Sequence, residues 1–182
     1  VEERLSQGIP PLPLNAEQVS ELVELLKSPP SGEEEYILDL ITNRTPAGVD
    51  PAAYVKAAFL TAIAKGETNS PLIDKKHATE LLGTMLGGYN VESLIGLLED
   101  EEVGSLAAEG LSKTLLMFNA KHDVIELAKK NENAQRVVDS WSNGEWFTNK
   151  PKLPEVIKAI VFRVEGEINT DDLSPAPDAP SR

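Results

Sequence analysis

Three observations predict an all-α chain of stacked helical hairpins, followed by a short β-strand and a loop. Apolar residues recur at helical spacing in successive segments from Asn15 to Trp141. Helix-start signals at Asn15, Asp50, Asn90 and Asp123 place helix pairs near residues 15, 50, 90 and 123, a drifting period of 33 to 40 residues. After Trp146-Phe147 the composition changes, first to prolines and then to β-branched residues.

The elements follow in order. Residues 1–14 contain Pro10, Pro11 and Pro13, which remove backbone donors and predict an extended segment rather than one helix. Asn15 with Gln18 forms a capping box for a first helix carrying Val19, Leu22, Val23, Leu25 and Leu26, stopped by Pro29-Pro30. A second helix is predicted from Gly32 to Arg44, with Glu33, Glu34 and Glu35 at the positive end of its dipole and Arg44 in its last turn. Asp50-Pro51 starts a third, whose predicted apolar stripe is Tyr54, Val55, Ala58, Phe59, Ala62 and Ile63. Asp74 opens a fourth, ended by Gly87-Gly88. Asn90 caps a fifth with Leu94, Leu97 and Leu98, and a sixth carries Val103, Leu106, Ala107, Leu111 and Leu115. Asp123 starts a seventh, and an eighth runs from about Asn133 to Trp141.

The stretch from Val91 to Asp100, with Val103, Ala107-Ala108 and Leu111, resembles a HEAT-type repeat. Leucines face the seam, an acid turns the corner, and alanines admit the second helix. An irregular helical bundle is the alternative reading. The predicted organisation is an extended segment over 1–14, a helical domain over 15–148, a linker over 149–155, and a strand with its loop over 156–182. Ile160, Phe162 and Val164 supply the strand alternation.

Composition removes several function classes. The 182 residues include no cysteine, which excludes disulfides, a cysteine nucleophile and an iron–sulfur cluster ligated within this chain. A net charge of -13 disfavours nucleic-acid binding by charge. The longest uncharged run, Leu5 to Ala16, is 12 residues with three prolines, too short and too broken for a membrane span. With no secretory signal visible, a cytoplasmic location is expected.

Few side chains suggest chemistry. His77 and Glu80 share a helical face, but beside Lys75 and Lys76 they read as a solvated surface rather than a metal site. His122 reads as a polar flank, and Trp141 and Trp146 as core or interface anchors. Gly83, Gly87 and Gly88 are not a phosphate loop, since no strand precedes them and no Gly-Lys-Ser/Thr follows. The tail is different. Asn169 to Ser174 packs carboxylates, hydroxyls and an amide behind a strand, with Arg182 beyond, and a guanidinium fork suits a carboxylate ligand. An acidic, proline-rich disordered terminus is the alternative.

The run from Gly166 to Arg182 resembles the swivel-domain substrate loop of the bacterial aconitase B family. Gly32-Glu-Glu-Glu35, Asp39 to Arg44, Tyr54 to Phe59, Glu80 to Met85 with Gly87 to Asn90, and Thr114 to Phe118 resemble that family's N-terminal HEAT-like domain. The likeness spans the chain in order. It implies the first part of a lyase that interconverts citrate and isocitrate through cis-aconitate, with dehydration of 2-methylisocitrate as a further family activity. By that resemblance Arg182 is the substrate-binding residue, while Thr170, Asp171 and Ser174 shape the loop. Other aconitases carry histidine where this chain has Asp172, so no base role is assigned there, and Pro180 stands where an aromatic is usual.

The resemblance further implies a [4Fe–4S] cluster in the full-length enzyme, with its ligands and the catalytic groups outside this segment. No catalytic residue and no metal ligand is therefore assigned here, and the segment is expected to be inert alone. Its helical part is expected to gate substrate access and to mediate protein–protein or homodimer contacts. The alternative is a HEAT-like interaction module with no catalytic role. Family members lacking the cluster bind mRNA. With 13 bases to 24 acids in residues 1–150, net -11, this domain is not expected to supply that surface.

Overall fold

The computed structural model describes residues 2–6, 11–114, 117, 120–160 and 166. The described residues divide into two units, one spanning Leu14–Thr148 and the other drawn from Val1–Pro13 and Asn149–Arg182. In the second unit α1 (Glu2–Ser6) is a single turn of helix. The segment 1–14, expected to be extended, therefore carries a helical turn at 2–6, while the described residues 11–14 have no regular structure. Residues 149–160 have no helix or strand, and Leu153, Val156, Ile157 and Ile160 are exposed. Most of the expected strand, residues 161–164, lies outside the described residues.

The first unit is all helix: α2 (Ala16–Lys27), α3 (Glu34–Asn43), α4 (Pro51–Ala64), α5 (Lys75–Gly83), α6 (Val91–Leu97), α7 (Gly104–Lys113), α8 (Ala120–Ala128), α9 (Glu132–Ser142) and α10 (Glu145–Thr148). Neighbours in sequence pack as hairpins: α2 on α3, α4 on α5, α6 on α7 and α8 on α9. The hairpins then stack through α2–α4, α5–α7, α6–α8 and α7–α9 contacts. Each pair thus hides its apolar face on the next, the solenoid logic read from the spacing.

Local signals hold where a side chain acts within its own turn. Asn15 Oδ1 accepts from Gln18 N at 2.9 Å and Gln18 Oε1 accepts from Asn15 N at 3.0 Å, a complete capping box. Asp50 and Asp74 accept from Ala52 N and His77 N, each at 2.8 Å. Asp100 Oδ1 accepts from Glu102 N and Val103 N at 2.9 and 3.1 Å, which makes it the acid at the α6–α7 corner.

Several boundaries move, each for a tertiary reason. Asn90 stands ahead of α6 but makes no cap bond. It is fully buried, and its Nδ2 donates to Leu82 O at 2.7 Å, closing the end of α5 instead. That helix stops at Gly83 rather than at Gly87-Gly88, because the Thr84 hydroxyl donates back to Leu81 O at 2.7 Å. The α8 helix starts at Ala120 rather than at Asp123. The cap of α9 is Asn131, accepting from Ala134 N at 2.8 Å, while Asn133 Nδ2 donates to Leu98 O at 2.9 Å across the stack.

The buried face of α4 also differs from the predicted stripe. Ala53, Ala57, Leu60 and Ala64 turn inward, whereas Tyr54 and Ala58 are exposed. This helix is apolar nearly all round, so periodicity alone does not select its inner side, and the neighbours α2 and α5 do. Helices α5 and α7 cross closely, since a Cβ added to Gly110 would lie 2.8 Å from the Gly83 Cα. Only glycine at both positions allows that approach. Leu94 packs against Gly110, and Leu94, Leu98, Val103 and Leu111 are fully buried, each such burial stabilising by about 1.5–3 kcal/mol.

Candidate functional site

Thr170, Asp171, Ser174 and Arg182, the residues expected to meet or shape a substrate site, lie outside the described residues, as do Asp172 and Pro180. Grooves and polar features that the described residues do form lie on the helical stack.

The first groove, about 360 Å³, runs between α4 and α6. Its apolar side comes from the outward face of α4, with Ala58 and Ala62 one turn apart. At one end the Tyr54 and Tyr89 rings meet edge to face, with centroids 5.1 Å apart and planes at 76°. Backbone geometry brings Tyr89 there. Gly88 has φ +84°, and a Cβ on it would lie 2.7 Å from the Gly48 carbonyl, so the loop after α5 rests directly on the loop before α4. The Tyr89 hydroxyl donates to Val49 O at 3.4 Å. The Thr61 hydroxyl donates to the Ser93 hydroxyl at 2.7 Å, tying α4 to α6. Glu67 and Glu92 line the same groove, and neither carboxylate has an ion-pair partner among the described residues.

The second groove, about 420 Å³, lies over the Gly83–Gly110 crossing between α5 and α7. Leu86 stands at its edge, exposed and with φ +63°, a backbone conformation unfavourable for leucine. Glu109 on its wall is paired with Lys113 at 2.6 Å, and the bond to that lysine holds the Glu109 carboxyl below its ordinary range.

Two cations are set by the fold. Lys75 Nζ donates to Asp100 Oδ2 at 2.7 Å, tying α5 to the α6–α7 corner. That bond lowers the Asp100 pKa and raises the Lys75 pKa. Lys56 is inside the stack, only 3% exposed, and burial pushes its pKa from 10.5 down to about 8. Its Nζ donates to Thr42 O at 3.3 Å.

The histidines do not converge. His77 is half-buried on α5 and His122 is exposed on α8. Among the described residues no three His, Cys, Asp or Glu side chains are placed to hold a metal ion. Trp141 is anchored in the core side of the stack, donating from Nε1 to Leu111 O at 3.2 Å, whereas Trp146 is exposed against Phe147. Residue-by-residue reading missed Tyr89, Glu67 and Glu92 as groove residues and assigned Tyr54 to the core. The available signal was the small-residue row Ala58 and Ala62 continuing from Tyr54 on one face of α4.

The sequence matches the family described as the aconitate B N-terminal domain over residues 1–147. It is 65% identical over 183 residues to the aconitate hydratase B of Pseudomonas aeruginosa, 60% identical over 183 residues to that of Escherichia coli K12, and 58% identical over 184 residues to that of a Synechocystis species. Each alignment takes in 100% of this chain and 21% of the relative, so the chain spans about a fifth of the length of these proteins. Such identity over the whole length of the chain, together with the family match over residues 1–147, leads to one conclusion: the chain belongs to the aconitate B N-terminal domain family.

Proposed function

We propose that this chain is the N-terminal part of a cytoplasmic aconitate hydratase, a hydro-lyase acting on citrate and isocitrate. In this reading the helical stack walls and gates the approach to substrate and docks other protein chains, while the tail delivers Arg182 to a substrate carboxylate. The single observation that carries the reading is the likeness to named aconitate hydratases along the whole chain. Helical-hairpin stacks offer long open faces for docking, and the two grooves with exposed Tyr54 and Leu86 are of that kind.

The cluster that the family implies does not fit this segment. An iron–sulfur cluster needs thiolate ligands, and the chain has no cysteine. No step of the reaction is therefore assigned to residues 1–182 beyond substrate binding by Arg182, with Thr170, Asp171 and Ser174 holding the loop. The mRNA role of cluster-free family members is not placed on the helices, since 24 acids outnumber 13 bases over residues 1–150 and Lys27, Lys75, Lys113, Lys129 and Lys130 each lie against a carboxylate. Among the described residues no helix is long and apolar enough to cross a membrane.

Arg182→Lys in the full-length protein tests the assignment. Losing the bidentate fork while keeping the charge lowers kcat/KM for isocitrate by roughly 10- to 100-fold, with the cluster content unchanged. Wild-type kinetics in that variant refute a substrate role for Arg182.

A further inference from the structure

We propose that the groove between α4 and α6 receives an arginine side chain presented by a partner polypeptide. The inference rests on the docking half of the function proposed above and supplies its chemistry. The groove combines three features that one ligand class satisfies together. Glu67 and Glu92 offer two carboxylates without a cation among the described residues, in a chain of net charge -13. Tyr54 and Tyr89 hold one another edge to face at 5.1 Å and present ring surface at 59% and 40% exposure. Ala58 and Ala62 leave an apolar trough along α4.

A guanidinium donates in a planar fork to carboxylates and stacks on aromatic rings, and its aliphatic stem lies on apolar surface. An anion is repelled here, and an apolar side chain would strip water from two carboxylates without replacing it. A lysine matches the charge but not the fork. The volume, about 360 Å³, suits one long side chain and its backbone rather than a large cofactor.

The test uses the 182-residue chain, with amide chemical shifts followed during titration by acetyl-Gly-Gly-Arg-Gly-Gly-amide and by its citrulline and lysine counterparts. The arginine peptide is expected to bind saturably, with shifts centred on Tyr89, Glu92 and Ser93. The citrulline peptide, the same shape without the charge, binds about tenfold more weakly, and the lysine peptide roughly threefold more weakly. The double variant Glu67→Gln/Glu92→Gln, checked for unchanged helix content, loses about tenfold for arginine.

Equal binding of the citrulline peptide, shifts spread over other acidic faces, or an unaffected double variant would each overturn the proposal. So would concentration-dependent self-association of the chain that this double variant abolishes, since the occupant is then a second copy. Sedimentation of the wild-type chain tests the docking reading separately: a monomeric chain with intact arginine binding overturns self-association and supports the groove.

Discussion

Replacing Lys56 by methionine removes a buried charge from the helical stack while nearly keeping the side chain's length. The ammonium sits 3% exposed on the inner face of α4, with one long hydrogen bond, 3.3 Å, to Thr42 O. Burial lowers its pKa from 10.5 to about 8, and a displacement of that size corresponds to about 3 kcal/mol of instability wherever both states are protonated. Between pH 8 and 10.5 the unfolded chain holds the extra proton, so wild-type stability gains across that window, and the variant lacks that gain. Lys56→Met is expected to be more stable by about 1–2 kcal/mol at pH 7, after subtracting the lost bond to Thr42. Its advantage should shrink by about 2–3 kcal/mol by pH 10, changing sign. Urea unfolding followed by helical circular dichroism at pH 7, 8, 9 and 10 measures the difference. A variant equally destabilised at every pH would instead make Lys56 a packing residue whose charge costs nothing, and the burial penalty would be absent.

Three further substitutions test the packing and the corner. Gly110→Ala pushes a Cβ to 2.8 Å from the Gly83 Cα and should cost about 1–3 kcal/mol in the same unfolding assay. Gly96→Ala, with nothing within 4 Å of the new Cβ and a helical position in α6, should gain about 0.5–1 kcal/mol. Asp100→Asn should destabilise at neutral pH. Because the wild-type carboxyl titrates below its ordinary 3.8, the deficit should persist through mild acid and vanish only as pH falls through that lowered value. A deficit that stays constant to pH 2 would show that the Lys75–Asp100 charge contributes nothing.

Features confined to one turn were legible in the sequence. The Asn15–Gln18 capping box, Asp50 ahead of Pro51, Asp74, and Asp100 at its corner all act on neighbours within three residues. The hairpin spacing was legible too, since helices begin at Ala16, Pro51, Val91 and Ala120. What escaped reading depends on distant partners. Asn90 has the right type for a cap but spends its amide on Leu82, and the inner face of α4 is chosen by α2 and α5 rather than by its own pattern. Gly83 entered the sequence reading only in connection with a phosphate loop, and its role emerges only against Gly110. The groove joins Thr61 to Ser93, 32 positions apart, and no local motif announces such a meeting. For Thr170, Asp171, Ser174 and Arg182, the legible part is family likeness alone.

If the chain supplies a substrate arginine and helical walls, as proposed, to a reaction whose iron cluster is ligated outside residues 1–182, it is inert without the rest of the protein. Hydration of cis-aconitate is to be measured side by side for the purified 182-residue chain and the full-length protein at equal molarity. Turnover is expected from the full-length protein alone and none from the chain. Turnover by the chain, or none by a full-length protein with its cluster intact, would contradict the proposal.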